Sequence, residues 1–182
     1  MSDSPSPQRR RILLLGAAIG LGSVSLPSFA GSAVSSERRL GFYNLHTGES
    51  LTTTYWADGR YVASASSEVD FILRDFRTGD VAPIDIRLLD LLHDLRQQMQ
   101  SDQAFHVISG FRSPATNQKL SHRSKAVAKK SLHMRGMAID VRLPGRQLDD
   151  LRRMARSLKA GGVGYYPKSN FIHVDVGRVR FW

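Results

Sequence analysis

Ser131-Leu132-His133-Met134-Arg135-Gly136-Met137-Ala138-Ile139-Asp140 and Phe171-Ile172-His173-Val174-Asp175 are the two stretches on which the reading of this chain turns. In the first, a histidine leaves a loop and an aspartate follows within an apolar stretch, Met137 to Val141, that has the composition of a strand. Across a loop and the start of a strand, that spacing lets an imidazole and a carboxylate converge on one point. Gly136 permits the tight turn between them, and Ala138 keeps the space beneath small. In the second stretch, Phe171 to Val176 alternates as a strand does, which puts His173 and Asp175 on the same face. Two histidines and one carboxylate leave the fourth corner of a tetrahedron open, the arrangement in which a catalytic Zn2+ binds and acidifies water. Spacing alone also permits the plainer alternative, in which His133 and His173 are unrelated and Asp140 caps a turn.

Outward from these stretches, helices and short strands are mixed irregularly, which predicts an α+β fold with mostly antiparallel strands. Leu40 to Leu45, a His46-Thr47-Gly48-Glu49 turn and Ser50 to Trp56 form a hairpin, and Asp58-Gly59-Arg60 makes a further turn before Tyr61-Val62. Val69, Ile72, Leu73 and Phe76 at helical spacing predict a helix over 67–77, closed by Gly79. The clearest helix runs from Ile86 to about Gln100, with Asp85 as its N-cap. His93 on that helix has no second donor near it in sequence and reads as a surface or packing residue. Phe105 to Gly110 is a strand entering a loop, Asn117 to Ala128 a basic helix, Leu148 to Leu158 an amphipathic helix, and Gly161 to Gly164 a sharp backbone passage.

A chain of 182 residues with 41% hydrophobic content holds one ordinary domain with short appendages. It has no cysteine, which excludes disulfide frameworks, thiol nucleophiles and every cysteine-based metal motif. Any metal must therefore be held by His, Asp or Glu. Lysine and arginine number 26 against 16 acids, a balance of +10. A partner could then be nucleic acid, an anionic membrane or a cell-wall polymer.

The amino terminus narrows that choice. Arg9-Arg10-Arg11 precedes an uncharged stretch rich in Leu, Gly and Ala that runs to Pro27, and Ser28-Phe29-Ala30 supplies the small residues of a cleavage site. The string Gln8 to Leu13 resembles a twin-arginine export signal. Residues 1–30 are thus expected to be a signal peptide, cleaved after Ala30 or Ala33, followed by a linker over 31–38 and a working domain over 39–182. An uncleaved anchor is the other reading. Either way the rest of the chain faces the periplasm, with no stable membrane span once the signal is gone. Loss of residues 1–30 removes three Arg and Asp3, leaving 23 basic against 15 acidic residues, a balance of +8. Export argues against nucleic acid as the partner of the basic helix over 117–128.

Ser131-x-His133-x-x-Gly136-x-Ala138-x-Asp140 resembles the S-x-H-x-x-G-x-A-x-D signature of the zinc D-alanyl-D-alanine metallopeptidases and their murein endopeptidase relatives. Ile108-Ser109-Gly110-Phe111-Arg112-Ser113 is similar to a second segment of that superfamily. Asn44 to Glu49, Gly161 to Pro167, and Phe171 to Asp175 with Trp182 resemble its periplasmic murein endopeptidases in particular. The resemblance implies a single domain with a small antiparallel sheet flanked by helices, of the kind shared with hedgehog-like domains. Its N-terminal hairpin region would span 39–66 and its catalytic core 67–182. It implies Zn2+ as cofactor, with His133, Asp140 and His173 as its ligands, and peptidoglycan stem peptides as the substrate. Arg112 would sit at the rim, binding a substrate carboxylate or the developing oxyanion, or else holding a loop by a salt bridge. Ser131 would order the ligand loop.

One position departs from the pattern. Many members of the superfamily carry Glu or Asp three residues before the last histidine ligand, where this chain has Asn170, which cannot accept a proton at neutral pH. Asp175 is the nearest carboxylate left for general base, and it could equally orient a ligand. Tyr165 and Tyr166 are candidates to line a peptide groove. The expected activity is endopeptidase cleavage of peptide cross-links during wall growth, with the preferred linkage open. The competing readings are a carboxypeptidase or dipeptidase that trims stem peptides, and a wall-binding module without turnover, which Asn170 would explain.

Overall fold

Arg38–Asn44 (β1) and Ser50–Ala57 (β2) form the expected antiparallel hairpin, with Phe42 opposite Leu51. The structure, a computed structural model, describes Met1 and residues 37–124 and 127–182, so the expected export signal over 1–30 and most of the expected linker over 31–38 lie outside the described residues. Asp58 and Gly59 both adopt positive φ, the twist that a two-residue hairpin turn needs, and bring Arg60–Tyr61 (β3) back onto β2. Two helices follow, Ala63–Ile72 (α1) and Ile86–Gln98 (α2). Because they intervene, Phe105–Ser109 (β4) returns parallel to β1, a pairing that only a long crossover allows. Pro114–Arg123 (α3), Ala138–Arg142 (β5), Leu148–Leu158 (α4), Gly162–Tyr166 (β6), Phe171–Asp175 (β7) and Arg180–Phe181 (β8) complete the chain.

The eight strands make one sheet in the order β3-β2-β1-β4-β5-β7-β6-β8, with β1/β4 and β6/β8 parallel and the other pairs antiparallel. The α+β class holds, while the expectation of a small antiparallel sheet does not. The difference arises largely at Gly162-Val163-Gly164, whose glycines hide a strand that a period-two apolar pattern would have revealed. Leu88, Leu92 and Leu95 of α2 are fully buried against this sheet, each contributing about 1.5–3 kcal/mol. Leu151 and Ala155 of α4 join the same core with Ile139, Val141, Ile172 and Val174. By the two-residue period of a strand, Ala138, Asp140, His173 and Asp175 then occupy the opposite face of β5 and β7.

Two helices begin earlier than their periodicity suggests. Helix α1 ends at Ile72, five residues before the expected boundary, because Asp75 turns the chain: its Oδ1 accepts from Arg77 N at 3.0 Å. Helix α3 starts at Pro114, a residue suited to a first helical turn, with Ser113 Oγ accepting from Thr116 N at 3.2 Å. Asp75 also joins these regions. It is 1% exposed, and its Oδ2 accepts from Ser113 N at 2.9 Å and Ser113 Oγ at 2.8 Å.

Burial would push the Asp75 carboxyl up, but hydrogen bonds from Thr116, Ser113 and Arg77 outweigh it and hold it below its ordinary value of 3.8. A folded-state pKa below the unfolded one gives stability that is present above the unfolded value and is lost as pH falls through the folded one. Asp75→Asn is expected to cost about 1.5–3 kcal/mol at neutral pH, the worth of a charged hydrogen-bond acceptor. Urea melts at neutral pH and again below 3.8 should show the gap between parent and variant closing in acid; parallel losses would contradict this role.

Candidate metal centre

His133 is carried on a single 3-10 turn, Leu132–Arg135, capped by the buried Ser131, whose Oγ accepts from His133 N at 3.4 Å. Gly136 ends the turn with φ of 64°, and a Cβ there would lie 2.1 Å from the carbonyl oxygen of Pro83. Only glycine satisfies both conditions, so the turn and the helix entry beside it are locked together. The imidazole Nδ1 donates to the Gly110 carbonyl at 2.7 Å, which leaves Nε2 as the free nitrogen of His133.

Register supplies the other two groups. Asp140 on β5 stands directly opposite His173 on β7, and Ala138 stands opposite Asp175. His173 Nδ1 lies 2.9 Å from Asp140 Oδ1 and 3.2 Å from His133 Nε2, while His133 Nε2 lies 3.2 Å from Asp140 Oδ1. All three residues are buried. On the far nitrogen of His173, Nε2 meets Asp175 Oδ2 at 2.9 Å. Asp175 is 0% exposed and wholly engaged: Gly162 N and Gly177 N donate to Oδ1 at 3.0 and 2.9 Å, and Arg180 bonds both oxygens at 3.1 and 2.6 Å.

Arg112 closes the site. Its Nη2 donates to Asp140 Oδ2 at 2.5 Å and lies 3.2 Å from His133 Nε2, while Nε donates to Ser109 Oγ at 2.8 Å. Its backbone N–H also donates to the His133 carbonyl at 3.2 Å. Nη1 has no hydrogen-bond partner among the described residues. Arg112 thus pairs with Asp140 on β5 and reaches the His133 turn through its backbone N–H, at the edge of the cleft that the site opens into.

Burial lowers His133, favouring the neutral imidazole that can offer a lone pair. Burial alone would raise Asp140, but the neighbouring His133 and His173 dominate and hold its carboxyl far below the usual range. His173 is pushed down by burial and up by carboxylates on both nitrogens, with a net rise. Burial would likewise raise Asp175, yet His173, Arg180 and two backbone N–H groups bring it well below the ordinary carboxylate value.

The donor set fits a metal ion. His133, Asp140 and His173 each offer one ligand atom, all within 4.8 Å of one another, the one such trio among the described residues. The triangle of Nε2, Nδ1 and Oδ1 has edges of 2.9, 3.2 and 3.2 Å. A tetrahedral ion with bonds of about 2.0–2.1 Å would ask for edges of roughly 3.3 Å. The other nitrogen of each imidazole is already committed, to a carbonyl in His133 and to a carboxylate in His173, as metal-binding histidines usually are.

The structure thus brings His133, Asp140, His173 and Arg112 together at one cleft and sets Asp175 behind His173. Tyr166, Phe171, Lys130, Arg180 and Trp182 also line the cleft. Tyr165 does not; it lies beneath Arg152, whose guanidinium is 4.6 Å from its ring. Asn170 is an exposed left-handed residue at the end of the short turn before β7. Among the described residues that line the cleft, Asp140 is the one carboxylate. His93 packs edge-on to Tyr55 at 6.3 Å, as a packing residue would. Arg180 is not legible in the sequence as the partner of Asp175, because the parallel pairing of β8 with β6 that brings it there has no local signal.

The family model described as peptidoglycan L,D-endopeptidase MepK matches residues 32–182. The peptidoglycan L,D-endopeptidase MepK of Escherichia coli strain K12 is 40% identical over 182 residues, 99% of this chain and 100% of that protein. The Shigella flexneri protein of the same name matches to the same extent. The probable peptidoglycan L,D-endopeptidase MepK of Haemophilus influenzae is 39% identical over 177 residues, covering 96% of this chain and 95% of its own. With its S-x-H-x-x-G-x-A-x-D turn and strand, its paired His173 and its full-length likeness to these proteins, the chain belongs to the peptidoglycan L,D-endopeptidase MepK family.

Proposed function

We propose that this protein is a zinc-dependent peptidoglycan endopeptidase that hydrolyses peptide cross-links between an L-configured acyl centre and a D-configured amine centre; its relatives are named peptidoglycan L,D-endopeptidases. The observation that carries this reading is the His133–Asp140–His173 triangle, open on one side to a cleft that Arg112 borders. His133 Nε2, Asp140 Oδ1 and His173 Nδ1 would hold the ion, which when bound polarises the scissile carbonyl and acidifies a water. Asp140 divides its work, one oxygen toward the histidines and the other toward Arg112. Arg112, fixed by Ser109 and Asp140, has Nη1 left to receive a substrate carboxylate or the oxyanion. Asp175 orients His173: a carboxylate that is completely buried and accepts from four groups is better placed to fix a ring than to exchange protons with water.

In the same reading, residues 1–30 export the chain by the twin-arginine route and 39–182 work as the catalytic domain in the periplasm. No helix among the described residues is long and apolar enough to cross a membrane. The protein loaded with zinc is expected to split cross-linked muropeptides carrying an L,D linkage into their uncross-linked halves. Chelation should abolish this and zinc should restore it. Mass analysis of the products decides: release of terminal residues alone would favour the trimming peptidase, and binding of murein without hydrolysis of either L,D- or D,D-linked substrate would leave only a wall-binding module.

A further inference from the structure

Trp182 is 51% exposed, and its indole is nonetheless held from several sides. Its backbone pairs with β6, Trp182 N to the Val163 carbonyl at 3.2 Å and Tyr165 N to the Trp182 carbonyl at 3.0 Å. Its Nε1–H donates to Tyr166 Oη at 2.8 Å, and the Arg180 guanidinium lies 5.0 Å from the ring. Gly164 makes room for it: a Cβ at that position would come within 2.6 Å of indole Cε2. The ring stands 5.3 Å from that of His173 and lines the same cleft. A large apolar ring that is both immobilised and half exposed has lost its rotamer freedom without gaining full burial. That is the state of a preorganised contact surface.

We propose that Trp182 is a specificity-determining residue for the reaction assigned above, its indole packing on the aliphatic chain of a diamino-dicarboxylate residue next to the scissile bond. The inference rests on the endopeptidase reading of the site. The chemistry of the cleft supports this occupant. An aromatic plane takes up a methylene chain, and Lys130, which also lines the cleft and makes no ion pair among the described residues, matches the carboxylate at the chain's end. Arg180 does not compete for that carboxylate, since Asp175 occupies it in a two-point bond. Tyr166 and Gly164 act through the indole and are positioning residues.

The test uses the zinc-loaded full chain and soluble cross-linked peptides whose acyl-donor residue is either a diamino-dicarboxylate or L-alanine, the amine-donating residue being the same diamino-dicarboxylate in both. Trp182→Ala is expected to raise KM for the first substrate about tenfold, equivalent to roughly 1.4 kcal/mol, and to leave kcat within about twofold. It should also erase the parent's preference between the two substrates, and Trp182→Phe should recover most of it. Zinc affinity, measured by competition with a chelator, should not move. The chain has two tryptophans, so in a Trp56→Phe background the emission of Trp182 should change saturably on adding the diamino-dicarboxylate peptide. An unchanged KM in Trp182→Ala overturns the proposal, as does a joint loss of kcat and zinc affinity that Trp182→Phe fails to rescue. An indole silent to a peptide that the Trp56→Phe protein cleaves normally overturns it while leaving the endopeptidase reading intact; a parent that neither cleaves nor binds the peptide overturns both.

Discussion

Asp140→Asn is expected to yield a folded protein that has lost its metal and at least about a thousandfold of its turnover, some 4 kcal/mol of transition-state stabilisation. Asparagine keeps the shape of the side chain, so the strand pairing of β5 with β7 survives. The charge does not. Asp140 Oδ1 is the corner shared by both imidazole nitrogens, and its other oxygen neutralises Arg112, whose side chain is only 12% exposed. With an amide there, an incoming dication meets two neutral rings and an unpaired guanidinium, and the attraction that draws it in becomes repulsion. The same unpaired guanidinium destabilises the fold by about 3 kcal/mol, because breaking a buried pair from one side leaves an uncompensated charge. Elemental analysis after dialysis, thermal unfolding and hydrolysis at saturating zinc should be measured together. A variant that keeps one zinc per chain and cleaves within tenfold of the parent would remove Asp140 from the ligand set.

The parts of this site that could be read from sequence are those that depend on short-range rules. His133, Gly136 and Asp140 sit within one turn and one strand, so loop geometry and the two-residue period are enough to bring them together. The same period puts His173 and Asp175 on one face of β7, and the observed register sets Asp140 opposite His173. What stayed hidden depends on pairings that no local pattern encodes. Gly162 to Tyr166 lacks an apolar alternation, so β6 was not visible as a strand, and with it went the place of Arg180 and the seating of Trp182 over Gly164. The parallel β1–β4 pair needs a crossover through two helices, which periodicity cannot specify. Helix boundaries at Ile72 and Pro114 were moved by Asp75 and Ser113, side chains that bond backbone rather than fill an apolar face. Asp175 stood in sequence as either proton acceptor or orienting group, because a shared face with His173 serves both.

Asp175→Asn separates those two roles. An orienting carboxylate fixes the His173 ring so that Nδ1 faces the site, and it makes the imidazole a better donor. Its amide replacement is expected to weaken zinc binding about 10- to 100-fold, with turnover returning toward the parent's when zinc is raised to saturation. A proton acceptor behaves in the opposite way: zinc affinity would stay put, and kcat would fall by about two to four powers of ten at any zinc concentration. The surroundings of Asp175 argue for the first outcome. Its oxygens accept from Gly162 N, Gly177 N and Arg180 as well as His173, and the side chain reaches no solvent, so a water approaching from the cleft meets the His173 ring before it meets this carboxylate. Arg180→Met provides a second check, since it leaves the carboxylate in place and removes the two-point bond that holds it; the guanidinium beside Trp182 goes with it, so zinc affinity, which the Trp182 contact does not touch, is the readout. If Asp175 orients His173, this variant should show the same zinc-dependent defect in milder form; a kcat loss in Asp175→Asn that saturating zinc does not repair would instead make Asp175 the base.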